Sequence, residues 1–148
     1  MILGFKTQIE GNPTFFVEKI RACVSPINEK TWTPKIHTIR KGNRWKAGIK
    51  MQLAIGVRTK DYYQFNTGEY AALDHCVSVQ HIQIDNNSRV GKRIFVEDDT
   101  DNIFPKRLSE SEIEQLAIND GFNSVDAFWN WFSVSFIGQI IHFTDFRY

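Results

Sequence analysis

Between residues 50 and 97 the chain is a run of short alternating segments joined by turn signals, with no helical spacing between them. Residues 50–58 place Met51, Leu53, Ile55 and Val57 on one face, and residues 62–65 follow after a Lys60-Asp61 hairpin turn. Residues 66–74 read as a loop. In residues 76–84, Cys76, Ser78, Gln80, Ile82 and Ile84 share one face, and Val77, Val79, His81 and Gln83, with His75, share the other. Neither face is cleanly apolar, which suits a strand that lines a cleft or the inside of a small barrel. Asp85-Asn86-Asn87-Ser88 supplies a turn, and residues 93–97 a further strand. Strands that follow one another through tight turns leave no room for the crossover that parallel pairing needs. This part of the chain is therefore expected to form a mainly antiparallel sheet or barrel.

Helical signals bracket that region. Residues 2–6 read as a first strand, after which Asn12 and Pro13 predict a helix start, as cap and first helical residue. Phe15, Phe16, Ile20 and Cys23 form its apolar stripe, to about residue 22 or 23. Ser109-x-x-Glu112 is a capping box for a helix that turns Ile113, Leu116 and Ala117 inward and ends at Asp120-Gly121, the glycine serving as a left-handed cap. Ser124 opens another helix carrying Val125, Phe128, Trp129 and Phe132, and residues 138–146 alternate as a closing strand. The aromatic cluster Phe128, Trp129, Trp131 and Phe132 is assigned to the core or to a barrel plug. The expected class is α+β.

A length of 148 residues, 42% of them hydrophobic and 24% charged, is that of one soluble domain, residues 1–148. No apolar run approaches the roughly 20 residues that cross a bilayer. No charged region followed by an apolar stretch opens the chain, so the expectation is a cytoplasmic protein with no membrane partner. Cys23 and Cys76 read as free thiols.

The net charge of +1 hides a strong asymmetry. Residues 30–60 hold Lys30, Lys35, Arg40, Lys41, Arg44, Lys46, Lys50, Arg58 and Lys60 and no Asp or Glu. Glu97, Asp98, Asp99, Asp101, Glu110, Glu112, Glu114, Asp120 and Asp126 make the last third acidic. Within the basic window, Thr38 and Arg40 leave one face of an extended chain, and Lys35 joins them if the chain bends at Pro34. A Lys, a Thr hydroxyl and an Arg brought together can hold a phosphate or a carbonyl oxygen. A lysine whose pKa is lowered by cationic neighbours can also take the hydroxyl proton. The same residues equally suit a solvated basic strand edge. Trp32 and Trp45, the latter between Arg44 and Lys46, can stack a base or simply pack.

Lys35-x-x-Thr38-Ile39-Arg40, followed by Gly48 and an apolar strand ending in Arg58, resembles the signature of the ASCH family, a branch of the PUA-like superfamily. A second stretch resembles the C-terminal part of the same family: the helix through Leu116, the Asp120-Gly121-Phe122 turn, the aromatic helix to Phe132, and a closing strand. The resemblance implies a small, mixed or antiparallel PUA-like β-barrel flanked by helices, with the Lys-x-x-Thr-x-Arg motif in the wall of a cleft suited to RNA or a nucleoside-sized ligand. One branch of the family consists of small amidohydrolases acting on N4-acetylcytidine. By that resemblance Thr38 would be the nucleophile, Lys35 the proton carrier, and a carboxylate before the C-terminal turn their support. The family has Glu there; the matching residue here is Asp120, one methylene shorter.

Two functional classes follow. The first, adopted from the sequence, is a nucleic-acid (RNA) or nucleotide-binding domain using Lys35, Thr38, Arg40, Lys41, Arg44, Trp45 and Lys46, with affinity that falls as salt rises. The alternative is an amidohydrolase using Lys35, Thr38 and Asp120 on an acylated nucleoside. A protein-interaction module using the acidic face is a third. His37, His75, His81 and His142 match no zinc spacing, no Gly-x-Ser-x-Gly elbow or phosphate-binding glycine loop is present, and no metal or cofactor is expected.

Overall fold

The computed structural model describes residues 1–25, 31–98 and 105–148. Lys30 of the basic window and Asp99 and Asp101 of the acidic third lie outside the described residues. The elements are β1 (Ile2–Phe5), β2 (Gln8–Ile9), β3 (Asn12–Pro13), α1 (Phe16–Arg21), β4 (His37–Lys41), β5 (Gln52–Ile55), β6 (Tyr63–Gln64), a 3-10 turn (Gly68–Leu73), β7 (Ser78–Asn87), β8 (Gly91–Asp98), β9 (Lys106–Arg107), α2 (Glu110–Asn119), α3 (Val125–Trp131) and β10 (Phe136–His142). No helix among the described residues is long and apolar enough to cross a membrane.

The α+β class and the antiparallel pairing are as expected. Strands β4, β10, β7, β8 and β9 form an antiparallel sheet in that order, so the closing strand β10 lies between β4 and β7. A second sheet has the order β1, β5, β6, with β1 and β5 parallel. Among the described residues no closed barrel is found: the two sheets share no ladder, though an isolated antiparallel bridge pairs Lys50, before β5, with His75, before β7. Their link at β1 and β4 is a side-chain bond from Arg40 Nη2 to Gly4 O at 2.6 Å.

The larger sheet is buried on both faces, because adjacent residues of a strand point to opposite sides. Ile140 packs with Ile82, Ile84, Ile94 and Val96 against Leu116, Ala117, Phe128, Trp129 and Phe132 from the α2–α3 side. Ile141, the next residue, packs with Val79 against Leu3, Phe5, Ile20 and Leu53. Each such side chain removed from water contributes about 1.5–3 kcal/mol.

Four local readings are corrected. Asn12 and Pro13 do not start a helix. They pair with β2 across a turn in which Glu10 and Gly11 both have positive φ, 52° and 78°, as the tight hairpin geometry demands. Thr14 then bonds back to Lys6 O at 2.6 Å and to Thr7 O at 2.9 Å, and the helix begins only after Phe15, itself left-handed at φ 53°. The loop expected at residues 66–74 contains the 3-10 turn, pinned by buried Asn66, whose amide donates to Met51 O at 3.0 Å and Leu73 O at 2.9 Å. The turn expected at residues 85–88 instead follows Asn87, because β7 and β8 pair out to Asn87 and Gly91, and Asn87 Oδ1 accepts from the amides of Arg89 and Val90. Trp131 is not core: it is 46% exposed, with Lys6 Nζ 5.2 Å from its ring centre.

The C-terminal helix signals hold. Ser109 and Glu112 form the reciprocal cap of α2, and Gly121 follows its end at φ +89°.

Candidate functional site

The site forms where the start of β4, the end of α2, α1 and β1 meet. Residues 35 and 36 precede β4 and are tied on two sides: Lys35 N donates to Lys19 O at 3.0 Å, and Ile36 N to Asn119 O at 2.9 Å. These bonds carry Lys35 out of the strand line and against the last turn of α2. Its side chain is only 2% exposed, with Nζ 2.7 Å from Asp120 Oδ1, bonded also to Asp120 O, and 4.8 Å from the centre of the Phe16 ring. The shorter carboxylate therefore reaches the lysine. Gly121 is what allows the approach, since a Cβ there would lie 2.9 Å from both Lys35 Cδ and Phe16 Cε1.

Lys19 braces the same turn, donating to Gly121 O at 2.9 Å and to Asn123 Oδ1 at 3.2 Å. His37, fully buried, places Nδ1 3.6 Å from Asp120 Oδ1, which is longer than a hydrogen bond.

Burial pushes Lys35 below its ordinary pKa, aided by Arg40 and Lys19 and opposed by Asp120. Burial alone would raise the Asp120 carboxyl, but Lys35 and His37 outweigh it and hold the group below the usual carboxylate range. Burial also depresses His37, against the pull of Asp120, so its imidazole is neutral at pH 7. The result is one buried carboxylate bonded to a buried lysine, with an imidazole nitrogen just beyond hydrogen-bond reach.

Thr38 and Arg40 complete the group. A cavity of about 90 Å³ is lined by Lys35, Thr38, Arg40, Asp120, Phe16 and Trp131 among others. Thr38 is 4% exposed, and Arg40 is held by Gly4 O and lies over the Phe5 ring at 5.1 Å. Among the described residues the Arg40 Nε is buried without a partner. A larger outer cavity of about 280 Å³ shares Ile9, Phe16, Phe122 and Trp131 with the inner one and adds Glu10, Asn12, Asn123 and Asn130 at its rim.

The other basic residues singled out in the sequence, Lys41, Arg44 and Lys46, lie outside this cavity. Lys41 and Arg44 are exposed and, with Arg40, line a shallow cleft of about 200 Å³. Lys46 is exposed. Trp45 is 2% exposed, its backbone N and O clamped by the Gln139 amide at 3.0 and 3.1 Å, so the ring packs in the core and offers no face to a base. Trp32 stacks on Phe15 at 4.7 Å.

Sequence reasoning missed His37, Phe16 and Tyr148. His37 was weighed only as a metal ligand, and its neighbourhood depends on a contact 83 residues away in the chain, at Asp120. Tyr148 bonds His37 Nε2 at 2.7 Å, a pairing no local pattern announces. No protein-family model matches the chain, and no curated protein and no solved structure is similar to it.

Proposed function

We propose that the chain is a small amidohydrolase acting on an acylated nucleoside or a related acyl amide. The observation that carries this reading is the buried Lys35 ammonium, 2.7 Å from Asp120, in the wall of the cavity that Thr38 lines. A phosphate site requires neither the hydroxyl nor a desolvated, carboxylate-paired lysine, whereas nucleophilic catalysis on a carbonyl uses both. The ASCH-like motif adds to it, since its Lys, Thr and carboxylate positions all line one cavity, and a PUA-like origin of the sheet belongs to the same proposal.

The chemistry runs in two halves. Lys35 in its neutral form takes the Thr38 proton as Oγ1 attacks the amide carbonyl, and Asp120 stabilises the ammonium that forms. Arg40, with an Nε–H lacking any partner, takes the developing oxyanion. The ammonium returns its proton to the leaving amine, which departs as the C–N bond breaks. Water then hydrolyses the threonine ester, restoring the hydroxyl and releasing the carboxylic acid. The inner cavity of about 90 Å³ suits an acyl group of acetyl size, and the outer one of about 280 Å³ the remainder of the amine.

The test is hydrolysis of N4-acetylcytidine and of acetanilides by the wild type, Thr38→Ala and Lys35→Met. Turnover that disappears in both variants is expected; turnover that survives Thr38→Ala would sink the proposal. The RNA or nucleotide reading keeps one specific observation, the Arg40, Lys41 and Arg44 cleft. It predicts salt-sensitive RNA binding lost in Lys41→Ala with Arg44→Ala. Burial of Trp45 removes one of the two stacking partners, Trp45 or Trp32, that the reading named.

A further inference from the structure

A chain of partly buried hydrogen bonds behind Asp120, starting from the exposed Gln115, determines which nitrogen of His37 carries its proton. Asn119 Oδ1 accepts from Gln115 Nε2 at 2.7 Å, so it is Asn119 Nδ2 that donates to the Tyr148 hydroxyl, at 2.9 Å. A phenol that accepts from Asn119 has one proton of its own to give, and His37 Nε2 lies 2.7 Å away. Nε2 must therefore accept, which leaves the ring proton on Nδ1. That nitrogen is buried without a hydrogen-bond partner, with Asp120 Oδ1 3.6 Å off.

Tyr148 is itself held in place. Its N donates to Gln80 Oε1 at 3.0 Å and its O accepts from Gln80 Nε2 at 3.2 Å. The adjacent His142 is wired the opposite way: Gln80 Oε1 accepts from its Nε2 at 3.0 Å, so that nitrogen bears the proton.

We infer that Tyr148 is a positioning residue, which sets His37 as an Nδ1–H donor facing Asp120 and ready to hold the carboxylate when Lys35 releases it. This role in turnover rests on the amidohydrolase reading; the tautomer does not. A buried N–H without a partner calls for an explanation, and the reaction supplies one. When Lys35 passes its proton to the leaving amine, Asp120 loses its cation, and a shift of under about 1 Å brings it within hydrogen-bond reach of Nδ1–H. The groups facing His37 are Lys35, Asp120, His142 and Tyr148.

The experiment is nitrogen-15 NMR of histidine-labelled protein, with the His37 signals identified by their loss in His37→Gln. Wild type is expected to show His37 protonated on Nδ1 and bare at Nε2, and His142 the reverse. Tyr148→Phe removes the donor to Nε2 and puts no acceptor there, so the proton is expected to stay on Nδ1 facing Asp120 while the Nε2 signal shifts on losing its hydrogen bond, with His142 unchanged. Asn119→Ser, which frees the phenol to donate or accept, is expected to weaken the same hydrogen bond and serves if Tyr148→Phe does not fold. A wild-type His37 protonated on Nε2, or an Nε2 signal indifferent to both variants, overturns the inference. In the hydrolysis assay, kcat should fall about tenfold in Tyr148→Phe at unchanged KM, the worth of one hydrogen bond. Full activity with a shifted Nε2 signal refutes the positioning role. Absence of wild-type turnover refutes the hydrolase reading and with it that role, while the NMR result still decides the tautomer.

Discussion

Asp120→Asn is the perturbation that most directly tests the buried pair. The substitution keeps the size of the side chain and the backbone bond from Lys35 to residue 120 but removes the charge that compensates a lysine 2% exposed. Breaking a buried ion pair at one partner costs about 3–5 kcal/mol. The structure also provides a ceiling. Rather than keep an unpaired buried charge, Lys35 can lose its proton, and from an ordinary pKa near 10.4 that costs about 1.4 kcal/mol for each of roughly 3.4 pH units, or about 4.6 kcal/mol at pH 7. The expected loss is thus about 3–4.6 kcal/mol. Its pH dependence has a definite sign. In the variant the folded-state pKa of Lys35 lies further below that of the unfolded chain, since Asp120 was the group raising it. The unfolded state therefore binds more protons, stability rises with pH, and the deficit against wild type narrows by up to about 1.4 kcal/mol per unit between pH 7 and 9. Urea unfolding of both proteins at pH 7, 8 and 9 measures this. A loss under about 1 kcal/mol, or one that does not change with pH, would refute the argument that Lys35 is a buried cation dependent on Asp120.

Three further outcomes follow from the same geometry. His142 is held neutral by burial, with its pKa down to about 3, so the stability that this neutrality contributes is complete above the unfolded value near 6.5 and is lost as pH falls toward 3. At pH 5 the loss is about 2 kcal/mol relative to pH 7, and urea unfolding of His142→Gln should lack that part of the acid slope. Gly121→Ala should cost about 2–3 kcal/mol and suppress amide turnover, because the added methyl meets Lys35 Cδ and Phe16 at a φ of +89°; thermal melting and the hydrolysis assay report the two effects separately. Trp45→Ala should destabilise by about 3–5 kcal/mol, whereas Arg44→Ala, one residue away and exposed, should change stability by under about 0.5 kcal/mol and leave hydrolysis of an uncharged amide intact.

Much of the C-terminal half was legible because its signals are local. Ser109, Glu112, Gly121 and Ser124 each act within a turn of their own position, and all four do what their residue types predict. The alternation in residues 76–84 also marked a strand, found at Ser78–Asn87, since period two survives any context, although both its faces are packed in the core where a cleft or barrel lining was expected. Asn12-Pro13 misled because the cap signal there competed with an equally local hairpin, and Thr14 bonding back to Lys6 favoured the hairpin. Trp131 is exposed where the core was expected, and Trp45, for which stacking and packing both stayed open, is buried, because an aromatic residue carries no mark of whether its neighbourhood will be closed.

By itself the sequence determined the mainly antiparallel pairing, the caps of α2 and α3 and the set of residue types, Lys35, Thr38, Arg40 and Asp120, from which a site could be built. Only the tertiary structure decided that they line one cavity. Lys35 and Asp120 are 85 residues apart, and no propensity acts over that separation. They are joined because Ile36 N bonds Asn119 O and Gly121 leaves room for the lysine stem, and because low-dielectric burial then makes each charge depend on the other. The same long-range packing placed Tyr148 behind His37 and sealed Trp45 in the core. Local chemistry thus selects the elements, while packing sets which charged groups lose their water together.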